Sequence, residues 1–117
     1  GHQAGDRVLR EVSALLAKNL RRYDTAYRYG GEELALLLPQ TELPDAVKLA
    51  ERIRQKLEKK PFLSAKLQVT ASFGAASLGG KTLSEEALVA AADAEMYRAK
   101  SRGRNRVEPA SVPSAKP

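Results

Sequence analysis

Cysteine is absent from the 117 residues, and histidine occurs once, at position 2. The first absence excludes a disulfide framework, a zinc knuckle, a thiolate nucleophile and a cysteine-ligated cluster, and it accords with a reducing cytosol. The second argues against a histidine-based metal site or a Ser-His-Asp triad. No apolar run approaches the roughly 20 residues that cross a bilayer, and no charged-then-apolar signal segment opens the chain. What is present is 43% hydrophobic and 29% charged residues, with 20 Lys plus Arg against 14 Asp plus Glu, a formal charge of +6. A chain of this size and balance builds one domain around one core, burying about two-thirds of its unfolded surface. Its chemistry falls to carboxylates, Arg and Lys, which handle phosphates and hard divalent cations. The positive excess fits either an ordinary solvated surface or a phosphate-rich partner.

Between Asp6 and Leu20, the residues Val8, Val12, Leu15, Leu16 and Leu20 recur at helical spacing, which predicts an amphipathic helix with Asp6 as its N-cap. Thr25 to Tyr29 and Leu34 to Leu38 read as two strands around Gly30-Gly31-Glu32-Glu33, a hairpin. Pro39 stops the second strand. Pro44 suits the first turn of a helix with Ala46, Val47, Ala50, Ile53 and Leu57 on one face, and Pro61 ends it. Strict alternation from Leu67 to Ala75 predicts a further strand. Thr82 with Glu85 forms a capping-box pattern before a helix carrying Leu88, Ala91, Ala92, Met96 and Ala99. Gly103 closes that helix, a short strand around Val107 follows, and residues 109–117 read as a flexible tail. Such an order predicts an α+β architecture, an antiparallel sheet of ferredoxin-like character flanked by helices.

Glu32 and Glu33 stand at the hairpin tip, where two glycines let backbone lie close to whatever is above it. Adjacent carboxylates there can hold Mg²⁺ beside a nucleotide phosphate, or can be two solvated acids in a polar turn. The wider context narrows the choice. Arg28-Tyr29-Gly30-Gly31-Glu32-Glu33-Leu34 closely resembles the GGDEF signature of diguanylate cyclases in its GGEEF-like form. Gly1-His2-Gln3-Ala4-Gly5-Asp6 followed by Val8-Leu9 is similar to the family's G-H-x-x-G-D-x-x-L segment. Ala92-Asp93, Met96-Tyr97, Ala99-Lys100 and Gly103-Arg104-Asn105 resemble its A-D-x-x-x-Y-x-A-K-x-x-G-R-N close. The likeness covers Gly1 to about Val107, within a domain of residues 1–108.

The resemblance implies a nucleotidyltransferase with a palm-like fold. Two GTP molecules, each held by one domain of a face-to-face homodimer, would condense to cyclic di-GMP and two pyrophosphates with Mg²⁺ or Mn²⁺ as cofactor. Glu32 would ligate the metal and serve as candidate base, and Glu33 would contribute to the metal site. Gly30 and Gly31 would admit the nucleotide. Lys100 and Arg104 would neutralise the β- and γ-phosphates, although cations near a helix C-terminus also complement its dipole. Asp6 would accept from the guanine edge, a role that competes with capping for the same oxygens. His2 reads as a loop residue. Arg21 and Asp24 form an R-x-x-D pair with five residues between Asp24 and Gly30, where product-inhibited members carry an inhibitory site; Arg52 would be its second arginine. The competing reading of that pair is a surface ion pair worth about 0–1 kcal/mol.

Two departures from the family pattern carry consequences. The family's first strand, with the other metal carboxylate, and the helix start with a guanine-binding Asn would precede Gly1. The expected sheet therefore lacks a central strand between the second hairpin strand and Leu67 to Ala75, and these 117 residues alone are expected to show little or no cyclase activity. Leu34 replaces Phe, a modest packing change. A catalytically silent domain acting as a cyclic di-GMP receptor or dimerisation module is the alternative function. RNA binding through Tyr27 and Tyr29 ranks low, because the Leu34 to Leu38 strand offers no aromatic platform. The expected setting is cytoplasmic, with no direct membrane contact, in a parent protein that is itself either free or anchored upstream.

Overall fold

The helices follow the apolar spacing, and their starts do not all fall where the caps were expected. The computed structural model describes residues 2–31, 33–79 and 83–109. Helix α1 runs from His2 to Asn19, placing buried Leu16 against the core with Val8, Val12, Leu15 and Leu20 beside it. Asp6 is therefore inside α1 and not its N-cap, because the backbone is already helical from His2, and a side chain can cap only where unpaired amides begin. His2, expected in a loop, is the first residue of that helix.

Helix α2 spans Leu43–Lys59, with Pro44 in its first turn and Ala50, Ile53 and Leu57 buried. It ends as expected before Pro61, where the Lys60 amide donates to the Lys56 and Leu57 carbonyls at 3.1 and 3.3 Å. Leu16, Ile53, Leu57 and Phe62 form the buried centre of the molecule.

Strands β1 (Thr25–Arg28) and β2 (Leu34–Leu37) pair antiparallel, Thr25 opposite Leu37 and Arg28 opposite Leu34. β1 is exposed along its length, whereas Leu34 and Leu36 of β2 pack against the core cluster. Leu34 is half-buried there, in the position where the family pattern places a larger ring.

The predicted strand from Leu67 to Ala75 forms only in part. Phe73–Gly74 (β3) pairs parallel with Val107–Glu108 (β4), through the Phe73 amide on the Arg106 carbonyl and the Ala75 amide on the Glu108 carbonyl, both 2.9 Å. Leu67 makes an isolated antiparallel bridge to Phe62. Alternation prepares a strand for pairing but cannot supply a neighbour, and among the described residues 68–72 have no ladder partner. The sheet is thus two separate two-stranded ladders, β1–β2 and β3–β4.

Helix α3, Glu85–Ser101, crosses β3 so closely that Gly74 lies under the Ala92 carbonyl and the Met96 amide. Its N-cap is Ser84, whose hydroxyl accepts from the Ala87 amide at 3.1 Å. That corrects the expected cap by two positions; Thr82 itself lies outside the described residues, as do Gly1, Glu32 and 110–117 of the expected tail.

Candidate functional site

The hairpin turn is built to hold its shape. The Tyr29 and Gly30 amides both donate to the Glu33 carbonyl, at 2.9 and 3.2 Å. The Arg28 guanidinium folds back over the turn, donating from Nε to the Gly30 and Gly31 carbonyls at 3.3 and 3.1 Å and from Nη2 to Gly31 at 2.5 Å. Three charge-assisted bonds thus satisfy the two carbonyl oxygens of the turn. Sequence reasoning gave Arg28 no role beyond membership in the motif.

A side chain at Gly31 would meet nothing within 4 Å, and one at Gly30 would make only ordinary contact with Glu33, 3.6 Å away. Neither residue sits in the left-handed region, which Gly79 and Gly103 do occupy. The described contacts of the turn therefore do not require glycine at these two positions.

An open groove of about 600 Å³ runs between the turn and α3, lined by Glu33 from the hairpin and by Asp93, Met96, Tyr97 and Lys100 from the helix. Two predicted residues far apart in sequence, Glu33 and Lys100, line it together, with Asp93 of the Ala92-Asp93 pair as a second carboxylate. Asp6, exposed on α1, and Arg104 stand outside that lining.

Arg104 follows the end of α3. The Arg104 amide donates to the Ala99 carbonyl at 2.9 Å, and Gly103, Arg104 and Asn105 all have positive φ, 118°, 63° and 46°. Asn105 is tied to α2: Arg54 Nη1 donates to its Oδ1 at 2.9 Å, and its Nδ2 donates to Glu58 Oε2 at 2.5 Å. Its amide donates to Ser72 Oγ at 3.2 Å. None of these partners was foreseen. The only sequence signal was an asparagine two places after a helix-closing glycine, since Asn tolerates left-handed backbone better than most residues.

Arg21 and Asp24, the two ends of the R-x-x-D pattern, are in contact. Asp24 Oδ2 accepts from the Arg21 amide at 2.8 Å and from its Nε at 3.1 Å, and Oδ1 accepts from Nη2 at 3.2 Å. Arg21 also donates to the Thr41 hydroxyl and lies 4.9 Å from the Tyr23 ring centre. The Asp24 side chain is fully covered. Burial pushes its carboxyl up, but the side-chain and backbone hydrogen bonds and the charge of Arg21 outweigh that and hold it below the usual carboxylate range. Arg52 is exposed on α2.

As to a divalent ion, carboxylate oxygens are the donors that Mg²⁺ and Mn²⁺ favour, and Glu33 supplies them half-buried at the groove. Among the described residues no three of His, Cys, Asp and Glu gather at one point, so Glu33 fits as part of a donor set that the described residues do not complete.

The chain matches the family described as "Diguanylate cyclase, GGDEF domain" over residues 1–106. It is 45% identical over 111 residues to the response regulator PleD of Caulobacter vibrioides, covering 92% of this chain and 24% of that protein. Against diguanylate cyclase A of Treponema denticola it is 42% identical over 109 residues, covering 92% and 29%. The chain thus spans about a quarter of the length of these relatives. Its fold is similar to that of the active GGEEF domain of a diguanylate cyclase from Vibrio cholerae, with TM-score 0.80 and 29% identity over 92% of this chain and 69% of the other. The GGDEF domain of DgcB from Caulobacter crescentus, solved with c-di-GMP, superposes with TM-score 0.77 and 31% identity over 92% and 65%.

Proposed function

The chain belongs to the GGDEF domain family of diguanylate cyclases, and from that membership and the groove we propose that it is the catalytic domain condensing two GTP into cyclic di-GMP. In the proposed reaction each 3′-oxygen bonds to the α-phosphorus of the GTP on the facing copy. The bond from that phosphorus to the β-phosphate oxygen breaks, pyrophosphate leaves, and the 3′-hydroxyl proton passes to a carboxylate, Glu32 being the candidate. Two copies of the domain are needed, since each holds one nucleotide.

The observation that carries this reading is the meeting of an acidic turn and a basic helix end across one groove, Glu33 facing the side of α3 that bears Lys100. Lys100 and Arg104 would bind the outer phosphates, and Asp6, released from capping, would accept from the guanine N1–H and 2-amino group. Glu32 and Glu33 would hold Mg²⁺ or Mn²⁺, which when bound offsets negative charge on phosphate oxygens. Glycine at positions 30 and 31, unexplained by the described contacts of the turn, leaves room for the nucleotide to approach the backbone.

As these 117 residues alone, the activity is expected to be weak, because the ladder bearing the turn and the ladder under α3 share no hydrogen-bonded register. Product inhibition would operate at Arg21, Asp24 and Arg52, with Arg21 and Asp24 exchanging each other for guanine and phosphate. That pair is assembled independently of the Gly30 to Glu33 turn, which favours a second reading, a cyclic di-GMP receptor.

Turnover of GTP with Mg²⁺, followed as cyclic di-GMP formed, separates the two. Glu33→Gln should lower the rate by roughly 10²-fold, and Lys100→Ala should weaken GTP binding, while Arg21→Ala should relieve inhibition without lowering the initial rate. Unchanged turnover in Glu33→Gln would sink the cyclase reading; cyclic di-GMP binding without GTP binding would support the receptor.

A further inference from the structure

We infer that Arg54 is a positioning residue for the phosphate-binding end of α3, acting through Asn105 on Arg104. The inference rests on the reading that Arg104 binds GTP phosphates. Arg54 leaves α2 with its side chain only 15% exposed. Glu51 grips its Nε and Nη2 with two 2.7 Å bonds, which fixes the plane of the guanidinium and aims Nη1 at Asn105. Asn105 is then held on three sides: by Arg54 at its Oδ1, by Glu58 at its Nδ2, and by Ser72 at its amide.

The held conformation is one the backbone does not favour by itself. Left-handed φ at Gly103 is unstrained, but at Arg104 it brings Cβ against the backbone, a cost that only surrounding contacts can offset. Arg104 is exposed and, among the described residues, is itself held only by its amide on the Ala99 carbonyl at 2.9 Å, so the rest of the imposed geometry comes from its neighbour. With Asn105 clamped, the Arg104 stem leaves the turn in one direction; with the clamp open, the turn relaxes toward right-handed backbone and the guanidinium loses its aim. A lysine at position 54 could not substitute, because a point charge cannot hold the Glu51 carboxylate in a planar fork and reach Asn105 at once.

Titration of the chain with GTP and with GMP, both with Mg²⁺, and thermal melts alongside test this. Arg54→Ala and Arg54→Lys should each weaken GTP about five- to tenfold, leave GMP unchanged, and add nothing in the double variant Arg54→Ala/Arg104→Ala beyond Arg104→Ala alone. Asn105→Gly, for which left-handed backbone carries no steric cost, should fold and show the same selective loss. Equal weakening of GTP and GMP, or a lowered melting temperature with unchanged GTP affinity, means a purely structural clamp and overturns the inference while Arg104→Ala still weakens GTP. A preference for GTP over GMP that is absent, or that Arg104→Ala leaves undiminished, overturns the phosphate role of Arg104 and this inference with it.

Discussion

A methyl group added at Gly74 would sit 2.1 Å from the Ala92 carbonyl oxygen and 2.2 Å from the Met96 amide nitrogen. Both are backbone atoms of α3, so relief requires moving the helix. Gly74→Ala is expected to cost at least the upper end of the roughly 1–3 kcal/mol of ordinary overpacking, measured by urea unfolding. Gly31→Ala, with open space around it, should leave that midpoint unchanged. Asp24 makes a different prediction. Its carboxyl is held low when folded, so the unfolded chain binds the proton more readily. The stabilisation is fully present above the unfolded value of about 3.9 and disappears as pH falls through the lower folded value. The melting-temperature difference between the parent chain and Asp24→Asn should therefore be flat from neutral pH to about 5 and shrink below about pH 4. A difference that grows on acidification would contradict the geometry.

The hairpin turn is an element held by two backbone bonds to the Glu33 carbonyl and by one side chain, Arg28. Removing Arg28 leaves the Gly30 and Gly31 carbonyls to water; Arg28→Ala should cost about 1 kcal/mol and raise amide exchange at Tyr29 and Gly30, read by NMR, without touching α2. Elements also mark how far sequence reasoning reached. The apolar faces of α1, α2 and α3 and the hairpin were legible because their signals are local: spacing, a glycine pair, a proline at each end of α2. The start of α1 was misplaced because Asp6 looks the same as a cap or as an interior helical residue. The cap of α3 was misplaced because Thr82 and Ser84 both suit the role. The strand from Leu67 to Ala75 was over-read because alternation describes one strand and a ladder needs two. In the site, Glu33 and Lys100 were readable from motifs, whereas the Arg54–Asn105 clamp joins positions on different elements that share no pattern.

At the scale of the whole molecule, stability is unevenly distributed. The largest fully buried side chains, Ile53 and Phe62, lie in and just after α2, while β1 is exposed throughout and, among the described residues, no ladder joins the hairpin to β3 and β4. Local opening free energies follow buried contacts, so hydrogen exchange should show amides of residues 25–37 exchanging faster than those of residues 50–57 and 107–108; equal protection would mean the hairpin unfolds only with the rest. The β2 backbone facing away from β1 is an open edge among the described residues, and open edges recruit other strands. Finally, Ile53 is fully buried between Arg52 and Arg54, one exposed and one clamped to Asn105. Successive helical residues are rotated by about 100°, so α2 works like an indexed shaft: slipping a single residue in ahead of Arg52 would swing that arginine toward the oily centre and turn Arg54 away from Asn105 in one stroke.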